Sequence, residues 1–190
     1  MRHVWKWGAV LLGLVALGFV GAMAFSPYRS RPGTDPPSIL EAVEIEASCP
    51  EVHAYLGDSS NARDWSVYVD HITPLNTDQA ADGAEGSIRR SFRNADETGM
   101  RWDEYFEHVE PGLRRLTVYN IVGAPSTRGA LVTEQIYEPL GPGRCRLAFS
   151  LFLREDASLG DAVLMRLAAW DIARIFRSNI RNVKAEVEAT

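Results

Sequence analysis

Cysteine, histidine and basic charge are all scarce in this sequence, and each scarcity closes off a class of function. Among 190 residues there are two cysteines and four histidines. His3, His53, His71 and His108 are scattered without H-x-x-H, H-E-x-x-H or Cys/His spacing, so no metal site is expected. A serine-nucleophile elbow, G-x-S-x-G, is missing as well. No G-x-G-x-x-G follows a strand, so dinucleotide binding lacks its usual loop and no cofactor is expected. Four of the 20 basic residues, Arg2, Lys6, Arg29 and Arg31, are the only charged side chains before position 33, which leaves 16 basic against 25 acidic residues, or −9, for the rest. Such a surface repels phosphate backbones and argues against nucleic-acid binding. There is no low-complexity tract or internal repeat.

What is present begins with "WGAVLLGLVALGFVGAMAF", an uncharged run from Trp7 to Phe25. A membrane span needs about 20 mainly apolar residues, and this run has that length. Trp5 and Trp7 stand where an aromatic belt would lie, with Arg2, Lys6 and the α-amine as cytoplasmic anchors. Residues 1–25 therefore read as a transmembrane anchor or, because Ala22-Met23-Ala24 is an A-x-A-like site, as a signal peptide. Either way the remainder is expected outside the cytoplasm: single-pass on the membrane, or secreted after cleavage. "SPYRSRPGTDPPS", residues 26–38, carries four prolines and no apolar period, and reads as an extended tether.

The folded domain is then expected over residues 39–190. "ILEAVEIEA" alternates and predicts a first strand. Ser48 and Glu51 form an S-x-x-E capping box with Pro50 in the first turn, predicting a short helix to about Leu56, with another short piece near Asn61 to Trp65. Period-two segments follow: Val67 to Leu75, Gly86 to Asn94, Gly99 to Val109, Arg114 to Val122, Ala130 to Pro139 and Arg144 to Leu153, separated by turn-rich stretches. Ser158 opens a long last helix with Leu159, Val163, Leu167, Trp170, Phe176, Ile180, Val183 and Val187 as its apolar stripe. A lone sheet would leave one face wet, so the long helix is its expected cover. The fold class is α+β, a curved seven-stranded antiparallel sheet gripping the C-terminal helix.

Three stretches, "EIEASCPEVHAYLGDSSNARDW", "YFEHVEPGLRRLTVYN" and "FRSNIRNVKAEVE", together with this element order, resemble the START-like (SRPBCC) superfamily with the helix-grip fold, whose bacterial members are labelled polyketide cyclase/dehydrase or lipid-transport proteins. The likeness spans about residues 39 to 190. It implies a hydrophobic cavity between sheet and long helix for a lipid-like or polycyclic ligand, without implying a reaction. An N-terminal membrane segment is a familiar addition in this superfamily.

"MRWDEYFEHVE" supplies the candidate site, since Trp102, Glu104 and Phe106 share one face of a strand. A carboxylate between two large aromatics needs a partner or a proton. Arg90 on the preceding strand is the nearest candidate, with Asn120 and Tyr137 as polar options and Trp170 on the helix completing the proposed ligand-binding set. Glu104 then either fixes a ligand's polar head, serves as a general base, or merely satisfies the sheet. His108 reads as a solvent-facing rim residue.

Cys49 follows the first strand and Cys145 opens the last. In the inferred fold these strands are antiparallel neighbours, so an oxidising compartment would permit a disulfide; the alternative is two small buried hydrophobes. Three function classes remain: a membrane-tethered domain binding a hydrophobic small molecule or lipid, a cyclase- or dehydratase-type enzyme using Glu104, or a structural or signalling domain whose cavity is filled by Trp102, Phe106, Phe149, Trp170 and Phe176. Oligomeric state is left open.

Overall fold

A computed structural model describes residues 13–15, 17–31, 34–123 and 131–189. The strands are β1 (Arg29–Arg31), β2 (Thr34–Ile45), β3 (His71–Pro74), β4 (Ile88–Phe92), β5 (Arg101–Glu110), β6 (Leu113–Val122), β7 (Leu131–Gly141) and β8 (Arg144–Leu153). They form one sheet in the order β1-β2-β8-β7-β6-β5-β4-β3, antiparallel at every pairing. Helix α1 (Cys49–Gly57), a 3-10 turn (Ser59–Asn61) and α2 (Ala62–Trp65) separate β2 from β3, and α3 (Leu159–Glu188) ends the chain.

The sheet has eight strands rather than seven. The additional strand, β1, comes from the proline-rich stretch read as a tether: Arg29 pairs with Ser38 and Arg31 with Thr34. Extended, proline-restricted backbone suits a sheet edge, where a missing N–H breaks no ladder. Pro36 and Pro37 lie just ahead of Ser38, where pairing with β8 begins. Arg31 locks the hairpin by donating from Nη1 to the Ser38 carbonyl at 2.8 Å. Ser26 and Tyr28 are buried, so the folded body starts ahead of Ile39.

Both helix starts follow from local sequence. Glu51 accepts from the Ser48 backbone N–H at 2.8 Å, and Asp161 accepts from the Ser158 N–H at 2.9 Å. Gly83 shows where only glycine serves. Its φ is +73°, and a Cβ there would lie 2.4 Å from the Gly57 carbonyl oxygen. That close approach brings Asp82 to Ser59, whose N–H donates to Oδ2 at 2.7 Å.

Two apolar cores flank the long helix. Ile45, Val52, Leu56, Leu147, Ile180 and Val183 pack around its C-terminal half, and Tyr28, Ile39, Leu153, Met165, Ala169 and Ala173 around its N-terminal half. Cys49 and Cys145 lie inside the first core, joined in a disulfide with Cα atoms 4.9 Å apart. The inner stripe of α3 differs from the expected one. Met165, Ala169 and Ala173 face the core in the first half, whereas Leu159, Val163, Leu167 and Trp170 are exposed. Small alanines allow the helix to lie close on β2, and alanine is too weak an apolar signal to outrank leucine in a periodicity reading.

Of the run Trp7 to Phe25, residues 13–15 and 17–24 are helical, and residues 7–12 and 16 lie outside the described residues. Among the described residues no helix is long and apolar enough to cross a membrane.

Candidate ligand cavity

Between the concave face of the sheet and α3 lies a cavity of about 640 Å3. Its sheet wall includes Leu116, Val118, Phe149 and Leu151, its helix wall Met165, Ala168, Ile172 and Phe176. Trp65, Tyr68, Val69 and Ile72 close one end. This volume falls within the roughly 300–1,000 Å3 of small-molecule sites, and the walls are apolar as such sites usually are. The large aromatics expected to fill the hollow leave it open. Phe106 is packed fully beneath the wall and Trp170 points outward.

A hydrogen-bonded polar cluster enters this surface. Glu104 Oε2 accepts from Arg89 Nε at 2.7 Å, and Oε1 accepts from Trp102 Nε1 at 2.8 Å and from Ser91 Oγ at 3.4 Å. Register explains the grouping: Arg89 stands opposite Glu104 and Ser91 opposite Trp102 across β4 and β5, so all four share one face. Arg89 is 3% exposed, and its guanidinium sits 4.7 Å from the Phe106 ring centroid. Among the described residues its two terminal nitrogens have no hydrogen-bond acceptor, although the residue lines the cavity.

Behind Phe106 lies a second buried cluster. Arg114 donates to Gln135 Oε1 at 3.0 Å, to Tyr137 OH at 3.1 Å and to the His53 carbonyl at 3.1 Å, while Tyr137 OH donates to Gln135 Oε1 at 2.6 Å. Burial, and then the Arg114 charge, lower the His53 pKa to about 4, so its imidazole is neutral. Burial likewise pushes the Tyr137 phenol upward and the Arg114 guanidinium downward. His53 Nε2 and Arg114 Nε are buried without a partner among the described residues. Only Gln135 of this group lines the cavity, so the cluster braces the wall rather than forming it.

A family model described as polyketide cyclase / dehydrase and lipid transport matches residues 37–188. The chain belongs to this family. No curated protein matches the sequence. Among solved structures, a protein from Thermus thermophilus is similar at 16% identity and a TM-score of 0.58, over 80% of this chain and 98% of that one. Norcoclaurine synthase from Thalictrum flavum, in complex with dopamine and hydroxybenzaldehyde, is similar at 12% identity and a TM-score of 0.55, over 79% of this chain and 85% of that one. The di-domain ARO/CYC BexL from the BE-7585A biosynthetic pathway is similar at 14% identity and a TM-score of 0.57, over 80% of this chain and 47% of that one. At these identities the likeness is one of fold.

Within this polyketide cyclase / dehydrase and lipid transport domain, the residues singled out from sequence separate into several places. Trp102 and Glu104 line the cavity. Arg90 does not join them. It turns to the opposite sheet face, donating to Asp103 from Nε at 2.6 Å and from Nη2 at 3.0 Å, because Asp103 is its register partner. Asn120 is on that face too, donating to Asp103 Oδ2 at 2.9 Å. Burial works to raise the Asp103 pKa, but these hydrogen bonds and the Arg90 charge outweigh it and hold the carboxyl below its usual range. Phe106 is the platform under Arg89, Tyr137 belongs to the bracing cluster, and Trp170 lies outside. His108 sits half-exposed at the rim near Glu85 and Glu110.

Arg89 and Ser91, which carry no distinguishing signal in the sequence, complete the cluster. In "IRRSF" each face of the strand carries an arginine, and composition does not say which one looks inward. Only the pairing register with β5 decides it.

Proposed function

We propose that this chain is a membrane-held binding domain that takes a hydrophobic small molecule or lipid into the cavity between sheet and α3, without chemistry. One observation carries the proposal: an open cavity of about 640 Å3 with largely apolar walls, into which the hydrogen-bonded pair Arg89–Glu104 is set. The guest is an amphiphile whose body lies along Phe149, Leu151, Ile172 and Phe176. Its polar end accepts hydrogen bonds from the terminal nitrogens of Arg89. The apolar run from Trp7 supports a retained anchor, with the domain on the extracytoplasmic side. A Cys49–Cys145 bridge suits that placement, since disulfides persist in oxidising compartments. Cleavage after Ala24 gives the secreted alternative, and the mass of the mature chain separates the two.

Native mass spectrometry of the full chain extracted from membranes tests the binding. The expected result is protein carrying a bound apolar molecule that is lost on denaturation. Protein found only at its bare mass, which also fails to take up any hydrophobic probe, overturns the proposal.

A cyclase- or dehydratase-type enzyme acting on a polyketide-like substrate is the second reading. It is favoured by the placement of a carboxylate, Glu104, in the cavity wall. Against it stands the occupancy of that carboxylate: donors from Arg89, Trp102 and Ser91 arrange it to hold charge rather than to accept a substrate proton.

A further inference from the structure

The exposed part of α3 forms a pattern. Leu159, Val163, Arg166 and Trp170 follow at steps of four, three and four, which at 3.6 residues per turn places them within roughly 60° of one another. Leu159 is 88% exposed and Trp170 52% exposed, large apolar areas for a helix otherwise capped and packed. The N-terminal apolar segment ends on this same stripe. Ser26 Oγ donates to the Arg166 carbonyl at 2.8 Å, and Arg166 Nη1 reaches the Met23 carbonyl at 3.5 Å. At that base Gly21, Ala22 and Met23 are half-buried. Farther back the segment leaves the body, with Leu17 70% exposed, while Phe25 at its end is 77% exposed.

We propose that the Leu159–Val163–Trp170 face of α3 is a membrane seat, held against the bilayer surface from which the N-terminal segment emerges. A large exposed apolar patch needs an occupant. The occupant here is lipid, because the segment pinned beside the patch is apolar on every side and, counted from Trp7, has the length of a span. Trp170 supplies the amphipathic ring suited to the headgroup level, and Arg166 adds a cation beside it. Leu167 and Leu164, also exposed, carry the apolar surface around the helix to the cavity, which Leu164 lines. The seat therefore sets the cavity mouth beside the lipid, so a guest passes between bilayer and cavity without crossing bulk water. This inference rests on the retained anchor and not on the identity of the guest.

The test uses the full chain, whose two cysteines are bridged and leave no competing thiol. A nitroxide is attached at Leu159→Cys, and in a separate preparation at Pro142→Cys. The second site lies in the β7–β8 turn, at the end of β8 opposite Leu153, roughly 30 Å away along a ten-residue strand. Both proteins are reconstituted into vesicles of phosphatidylcholine and phosphatidylglycerol, and collision with oxygen is compared with collision with a water-soluble nickel chelate. The expected result is oxygen-dominated relaxation at 159 and nickel-dominated relaxation at 142. Nickel access at 159 equal to that at 142, in chain that floats with the vesicles, overturns the seat alone. Failure to float overturns the seat together with the anchor beneath it. Spin–spin broadening at 159 would assign the face to a second copy of the chain and also overturn the proposal. None of these outcomes depends on cavity binding, which native mass spectrometry measures separately.

Discussion

Arg89 and Glu104 face each other across β4 and β5 with 2.7 Å between Nε and Oε2, their side chains 4% and 13% exposed. The neighbouring pair one residue along, Arg90 and Asp103, has the same chemistry on the opposite face. Position, not composition, sets the first in the cavity wall and the second on the opposite face of the sheet.

Breaking the inner pair on one side leaves a buried charge uncompensated, which costs about 3 kcal/mol. Glu104→Gln is therefore expected to lower the urea midpoint and to weaken binding of an amphiphile with an acceptor head group. The double variant Arg89→Met with Glu104→Leu restores most of the stability and shifts preference toward wholly apolar guests. Arg90→Ala leaves guest binding unchanged. Equal loss of binding in Arg89→Met and Arg90→Ala would contradict this assignment, and fluorescence titration with a lipophilic probe measures it.

The Cys49–Cys145 bridge closes a loop of 96 positions. In the chain-entropy model a loop of that length stabilises by about 4–5 kcal/mol. Replacing both cysteines with alanine, or adding a reductant, is expected to lower the denaturation midpoint accordingly. An unchanged midpoint would mean that the bridge constrains nothing in the unfolded chain.

Gly83→Ala places a methyl carbon 2.4 Å from the Gly57 carbonyl at a positive φ. Backbone must shift, and strain of this kind costs about 1–3 kcal/mol. Thermal melting of the variant is expected to fall by several degrees, with the loss concentrated where Asp82 meets Ser59. Gly143→Ala, in the β7–β8 turn with open space around it, shares the positive φ but lacks the clash and is expected to cost less.

Acid should destabilise the domain through His53. Its pKa is lowered to about 4 in the folded state, by burial first and by Arg114 second, whereas an unfolded histidine titrates near 6.5. Below about pH 6.5 the unfolded chain therefore binds a proton that the folded chain refuses. Stability is present in full above that pH and is lost progressively as pH falls toward about 4. Urea midpoints at pH 7, 5.5 and 4.5, compared with those of His53→Asn, check this. The variant should show a shallower decline over the same window.

Much of the fold was legible in the chain because its signals are local. Capping boxes at Ser48 and Ser158 mark helix starts through side chains three residues apart, and the alternation in "RCRLAFSLFL" marks β8 with the ends the structure gives it. The candidate site was only half legible. Trp102 and Glu104 line the cavity as alternation along β5 suggested, but Arg89 and Ser91 were hidden behind a choice of register that β4 does not make by itself. Asn120 and Tyr137 were placed in the site by strand order, and each found its partner elsewhere, with Asp103 and with Gln135.

By itself, then, the sequence settled the order of strands and helices from residue 39 onward, since period and caps are written within a few residues of one another. Tertiary structure alone decided which arginine looks inward, that alanines rather than leucines lie on the sheet, and that a proline-rich stretch adds an edge strand. Each of those depends on partners distant in the chain, and a shift of one residue in register or a modest turn of the helix would have reversed it.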